Sequence, residues 1–242
     1  MFAILSDVHG NLPALEAVLA EAKGMGVSRV LVLGDVVGYG PFPQECLRAL
    51  SGAELCLQGN HEAGVLGRLD EDWFNDVAWE AIKWTKARLS AADLAQMQGW
   101  PEVAERERIQ FAHGSLNPAD PFDYLDSEPS LTDHFAAQSA PLCFVGHTHS
   151  PAIWTEGREM AVPWPKSGSY RLVPGLKTVI NVGSVGFCRT EDPRPSWVTY
   201  DPDALEVTLR RTDYDVETTA QAIRRSGHEK HVVKRLLKDL GR

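Results

Sequence analysis

Short apolar runs, each ending in a polar residue of donor chemistry, recur along this chain. Phe2-Ala3-Ile4-Leu5 is followed by Ser6-Asp7-Val8-His9, and Val30-Leu31-Val32-Leu33 by Gly34-Asp35. Glu54-Leu55-Cys56-Leu57 runs into Gln58-Gly59-Asn60-His61-Glu62, Ile109-Gln110-Phe111-Ala112 into His113, and Leu142-Cys143-Phe144-Val145 into Gly146-His147-Thr148-His149. Runs of four to six apolar residues bounded by turn residues predict buried strands. Between them the period changes. Leu12, Leu15, Val18, Leu19 and Ala22 recur at helical spacing, with Asn11 as N-cap and Gly24 as the stop, and this unit joins the first two strands into a βαβ crossover. Pro43 to Leu50 reads as a short helix. A longer amphipathic one runs from Trp73 to Leu89, its aromatics read as core, and a shorter one spans Leu94 to Met97.

The second half carries fewer signals. Trp154 to Gly175, rich in Gly, Pro and Ser, predicts a hairpin or flap; Val179 to Ser184 starts the last strands, Ser196–Tyr200 and Ala204–Leu209 close as a hairpin, and helices fill 212–242. With no linker-like run, 1–242 reads as a single domain.

Composition narrows the chemistry. No apolar run approaches the roughly 20 residues needed to cross a bilayer, and the first residues lack a basic leader, so a cytoplasmic protein without membrane contact is expected. Cys46, Cys56, Cys143 and Cys188 form no CxxC pair and read as reduced structural thiols. A formal charge of −9 disfavours long nucleic acid as a partner, but not a small phosphorylated substrate, because bound cations reverse the local sign. Oligomeric state leaves no trace in the sequence.

Asp7, His9, Asp35, Asn60, His113, His147 and His149 all follow strands, and strand ends in a layered sheet gather along one edge. Two carboxylates, four imidazoles and an amide oxygen exceed what one ion takes, but suit two ions sharing a carboxylate. If the turn after the first strand stays extended, Asp7 and His9 point to the same side. Five of the eight His fall in these blocks, whereas His134, His228 and His231 fit none and are expected at the surface.

In order, the blocks spell D-x-H, G-D, G-N-H-[DE], H and G-H-x-H, and over residues 1 to about 184 the chain resembles the calcineurin-like metallophosphoesterases, in particular small bacterial and archaeal phosphodiesterases. The resemblance implies an α/β fold, a four-layer α-β-β-α sandwich of two mixed sheets face to face with helices outside. It implies one divalent ion held by Asp7, His9, Asp35 and His149 and a second by Asp35, Asn60, His113 and His147, with a bridging hydroxide attacking phosphorus and His61 as general acid. Sulfur-free ligation points to manganese, iron, zinc, cobalt or nickel. Glu62 either orients His61 or favours a helix start. Asn11 is a phosphate contact or a cap, Tyr39 a stacking platform or loop packing, and Arg189 and Arg194 phosphate forks or solvated loop residues. Where related phosphodiesterases carry Gln-Pro this chain has Phe187-Cys188, and Cys188 is assigned no chemistry. The expected activity is hydrolysis of a phosphodiester or phosphomonoester, with a nucleotide as candidate substrate. The competing expectation is a phosphoesterase fold kept as a protein-interaction scaffold with vestigial activity, although no ligand or acid is missing here.

Overall fold

In the computed structural model, which describes residues 1–157, 167–242 and the backbone of 162–163, the apolar runs form β1 (Phe2–Leu5), β2 (Arg29–Val32), β3 (Leu55–Cys56), β4 (Val103–Arg106), β5 (Ile109–Ala112), β6 (Leu142–Val145), β7 (Ala152–Thr155), β8 (Val162–Pro163), β9 (Gly168–Arg171), β10 (Thr178–Asn181), β11 (Ser196–Asp201) and β12 (Glu206–Arg211). The helices are α1 (Leu12–Gly24), α2 (Pro43–Ala49), α3 (Asn60–Val65), α4 (Asp76–Lys86), α5 (Ala91–Gln98), α6 (Glu128–Ala137), α7 (Val216–Arg225) and α8 (Lys230–Asp239).

The strands make two six-stranded mixed sheets, ordered β3-β2-β1-β11-β12-β9 and β4-β5-β6-β10-β7-β8. Alternation along each strand builds the layers. Phe2 and Ile4 of β1 meet Phe111, Phe144 and Ile180 of the other sheet, while Ala3 and Leu5 face Leu15, Val18 and Leu47 of α1 and α2. On the far side Cys143 and Val145 pack under Leu131 of α6. Both sheets are thus buried on both faces in their central strands, which is why those strands read as continuous rather than alternating apolar runs. The four-layer α-β-β-α sandwich follows from this packing.

Parallel pairing places the donors. β1, β2 and β3 run parallel with Leu5 beside Val32 and Val32 beside Cys56, and β5, β6 and β10 run parallel to one another. The C-terminal ends of each set therefore lie along a shared edge.

The expected helix over Trp73–Leu89 is shorter. Trp73 sits in a 3-10 turn before α4 and is 50 % exposed, so its ring is not core. The turn after β1 is not extended either, as φ is +54° at Asp7 and +47° at His9. Of the 154–175 segment, 158–161 and 164–166 lie outside the described residues; β8 pairs antiparallel with β7, and β9 joins the other sheet beside β12.

Two of the three histidines expected at the surface are buried. His228 stacks on Trp84 at 4.1 Å, and His134, on a helix that had no clear periodic signal, accepts the Leu116 N–H at Nδ1 at 3.1 Å. Only His231 is exposed. Burial pushes His134 down to about 4 from the usual 6.5. Between those values the unfolded chain binds the proton and the folded chain does not, so stability falls as pH falls through this window. Urea titrations at pH 8 and pH 5 should show His134→Asn, which keeps an acceptor for Leu116 but cannot titrate, losing about 2 kcal/mol less than the wild type on acidification. An identical loss in both proteins would contradict a buried neutral His134.

Candidate metal centre

The loops leaving β1 and β2 zip together before either carboxylate is placed. Asp7 N donates to Gly34 O at 3.1 Å, His9 N to Asp35 O at 2.8 Å and Gly10 N to Val36 O at 2.9 Å. Five of the predicted ligands have positive φ, namely Asp7, His9, Asp35, His147 and His149, as does Tyr39 nearby. Asp and His tolerate this region better than most residues, yet each such residue costs about 1 kcal/mol or more. Strain collected at one sheet edge marks a site whose surroundings enforce it.

Each carboxylate is held by one oxygen and offers the other. Asp35 Oδ1 accepts His61 N at 2.9 Å, leaving Oδ2 3.6 Å from His9 Nε2 and 3.3 Å from His113 Nε2. Asp7 Oδ2 accepts His147 N at 3.0 Å, and Oδ1 lies 3.2 Å from His149 Nε2. Gly59 permits the first arrangement, since a methyl there would land on Asp35 Oδ1.

The imidazoles are aimed from behind. Nδ1 of His9 faces Val37 O at 3.2 Å, Nδ1 of His113 faces Leu33 O at 2.9 Å, and Nδ1 of His149 faces Phe187 O at 2.6 Å. A carbonyl only accepts, so Nδ1 carries a proton in each, and whenever the ring is neutral Nε2 presents a lone pair, the arrangement that metal-binding histidines adopt. His9 Nε2 and His149 Nε2 then face each other across 3.0 Å with no proton to share. Asp7 Oδ1 completes a triangle of acceptors, and a cation is what makes such a triangle favourable. Among the described residues three groups meet the spacing for an ion: Asp7, His9 and His149; His9, Asp35 and His61; Asp35, His113 and His147. Asn60 Oδ1, Asp7 Oδ1 and His147 Nε2 are buried with no hydrogen-bond partner. The donors present therefore fit divalent metal.

Electrostatics agree. Burial alone would raise Asp35, but His113 and His61 hold its carboxyl well below the usual range, and His149 does the same for Asp7. His113 is pushed up to about 9, burial being outweighed by Asp35. Burial pushes His147 down to about 3 and His61 down to about 4. A bound cation and the His113 proton therefore compete for the same lone pair.

The remaining sequence candidates separate. Tyr39 lies 4.6 Å, ring to ring, from both His9 and His61, and with Arg189 it lines a cavity of about 210 Å³ floored by Asp35, Asn60, His61, His147 and His149. Asn11 is elsewhere: Oδ1 accepts Ala14 N at the cap of α1 and the Thr219 hydroxyl, while Nδ2 donates to Gly186 O. Arg194 forks onto Asp192. Glu62 does not touch the His61 ring; its carboxylate accepts Asp35 N at 2.8 Å, Gly59 N at 2.8 Å and Val37 N at 3.1 Å. Sequence reasoning read Trp73 as core and passed over Phe122 and Tyr124, yet all three line the same cavity, Trp73 from the 3-10 turn before α4 and the other two from a loop where neither period nor motif applies.

The calcineurin-like phosphoesterase superfamily model matches residues 1–204. The chain belongs to that superfamily. It is 32 % identical over 228 residues to the uncharacterized protein MJ0912 of Methanocaldococcus jannaschii, covering 92 % of this chain and 91 % of that one. It is 27 % identical over 175 residues to the phosphodiesterase YfcE of Escherichia coli, covering 70 % and 82 %. The crystal structure of a metallophosphoesterase from Sphaerobacter thermophilus superposes with a TM-score of 0.86 at 35 % identity over 98 % of each chain. Membership of this superfamily and the Asp/His clusters together suggest divalent-metal binding.

Glu62→Gln turns one acceptor oxygen into an amide that opposes backbone N–H donors, loosening the loop carrying Asp35. Equilibrium competition with a chelator dye should show metal affinity weakened roughly 10–100-fold with the helical far-UV signal retained. Wild-type affinity would show that the three N–H bonds do not position Asp35.

Proposed function

We propose that the chain is a dinuclear metal-dependent phosphoesterase, with Asp7, His9, Asp35 and His149 around one ion and Asp35, Asn60, His113 and His147 around the other. The observation that carries this reading is Asp35 Oδ2, which stands between His9 Nε2 and His113 Nε2 while Oδ1 is tied to the backbone. A carboxylate so fixed has one oxygen for two neighbours. Manganese, iron, zinc, cobalt and nickel all suit the donor set. When bound, two such ions supply charge neutralisation at a phosphoryl oxygen and a water acidic enough to act as nucleophile near neutral pH.

The chain's own residues do the rest. Asn60 Oδ1 and His147 Nε2, buried and unpaired, face the charge they would hold. His61 lines the cavity with its Nδ1 unpaired, and it is proposed as the acid that protonates the departing ester oxygen. Free of substrate it is neutral near pH 7, because burial pushes it to about 4; the negative charge of an arriving ester favours its protonated form. The likeness to YfcE, named a phosphodiesterase, supports diesters as substrates, and a nucleotide is the proposed natural class.

His61→Ala in the metal-loaded protein should keep both ions by elemental analysis and lose roughly 10²–10⁴-fold in turnover of bis(p-nitrophenyl) phosphate. Loss of an ion would make His61 a ligand, and undiminished turnover would remove it from the chemistry. Separately, Asn60→Ala should lower metal content from two per chain toward one, and retention of two would refute its assignment.

A further inference from the structure

Adjoining the metal cavity is a second, open chamber of about 360 Å³, lined by Leu125, Leu131, Ala152 and Trp154 together with the polar Asp126, Thr148 and Ser150. Most of its exposed surface is apolar despite those polar groups, unlike that of the metal cavity. Tyr124 and Arg189 line both spaces and so stand where the two meet.

This junction is anchored to the centre. The Tyr124 ring lies 4.1 Å from the His147 imidazole at 32°, and Arg189 N donates to His149 O at 3.1 Å. Trp73 and Tyr124 are the two aromatics among the large exposed hydrophobics of the described residues, and both stand at this cavity. The two sides of the cavity differ. His61 lies toward Phe74, ring centres 6.0 Å apart, Trp73 lines the same cavity against Phe122, and no residue of the 61–78 stretch lines the apolar chamber.

An acid must sit at the ester oxygen that departs, so the departing group lies on the His61 and Trp73 side. A second ester arm then has the Tyr124 side open to it, where a guanidinium meets the anionic phosphoryl group and an apolar recess continues beyond. We infer that the Leu131–Trp154 chamber is the subsite for the substituent retained on phosphorus, and that the substrate is a phosphodiester whose retained arm carries an aryl-sized apolar group. This rests on the phosphoesterase reading above. A monoester or a methyl diester leaves the chamber unfilled, and filling it removes apolar surface from water at roughly 25 cal/mol per Å².

Two diesters with the same leaving group isolate the retained arm: bis(p-nitrophenyl) phosphate and methyl p-nitrophenyl phosphate. The ratio of their kcat/KM values should fall at least tenfold in Ala152→Phe and in Leu131→Trp, two variants that fill the chamber from a strand and from a helix. A second readout needs no turnover. Bis(p-nitrophenyl) phosphate should quench tryptophan fluorescence more in the wild type than in Trp154→Phe, and methyl p-nitrophenyl phosphate should not. Turnover of both diesters with an unchanged ratio in both variants overturns the chamber and leaves the hydrolase standing. Trp154-dependent quenching without turnover upholds the chamber and contradicts the hydrolase. Absence of that quenching overturns the chamber whatever the turnover.

Discussion

Two buried carboxylates packed among imidazoles and a buried amide oxygen impose the constraint around which this molecule is arranged. Asp7 and Asp35 each anchor one oxygen on a backbone N–H and leave the other facing imidazole nitrogens. Buried like this, unpaired charge and facing lone pairs are unfavourable by several kcal/mol, and a cation reverses the sign. The sandwich exists in a form that makes the arrangement possible. Parallel strands in each sheet end at one edge, and residues just past those ends take left-handed backbone to turn their side chains inward.

The strand ends were legible because both faces of those strands are buried, so apolar runs stop abruptly where donors begin. The layer order also followed from the motif resemblance, and the packing of Phe2, Ile4, Phe111 and Phe144 between the sheets agrees with it. Other features were hidden for physical reasons. Asp7 and His9 converge through positive φ rather than the extended geometry that spacing alone assumes. His134 is core although no periodic signal marks its helix; its Nδ1 accepts Leu116 N while Nε2 is buried without a partner. Trp73, adjoining an apolar stripe, lies in a turn before the helix and faces the cavity instead.

Glu62 shows how a residue can matter without touching substrate. Neither expectation from the sequence included its contacts with Asp35 N and Val37 N, since both lie across a loop that only the fold brings near. Its carboxylate gathers three N–H donors from two strand-end loops, fixing the backbone from which the central aspartate projects. Asn11, by contrast, joins α1 to Gly186 and Thr219, tying the first loop to the C-terminal helices. The metal-ligand candidates are thus held by backbone contacts drawn from the loops after β1, β2, β3, β6 and β10.

The central claim is that Asp35 stands between two cations. Anomalous diffraction from crystals grown with manganese tests it directly. The account predicts two peaks per chain, one beside Asp7, His9 and His149 and one beside Asn60, His113 and His147, with Asp35 Oδ2 within bonding distance of both. A single peak, or two that leave Asp35 uncoordinated, would contradict it.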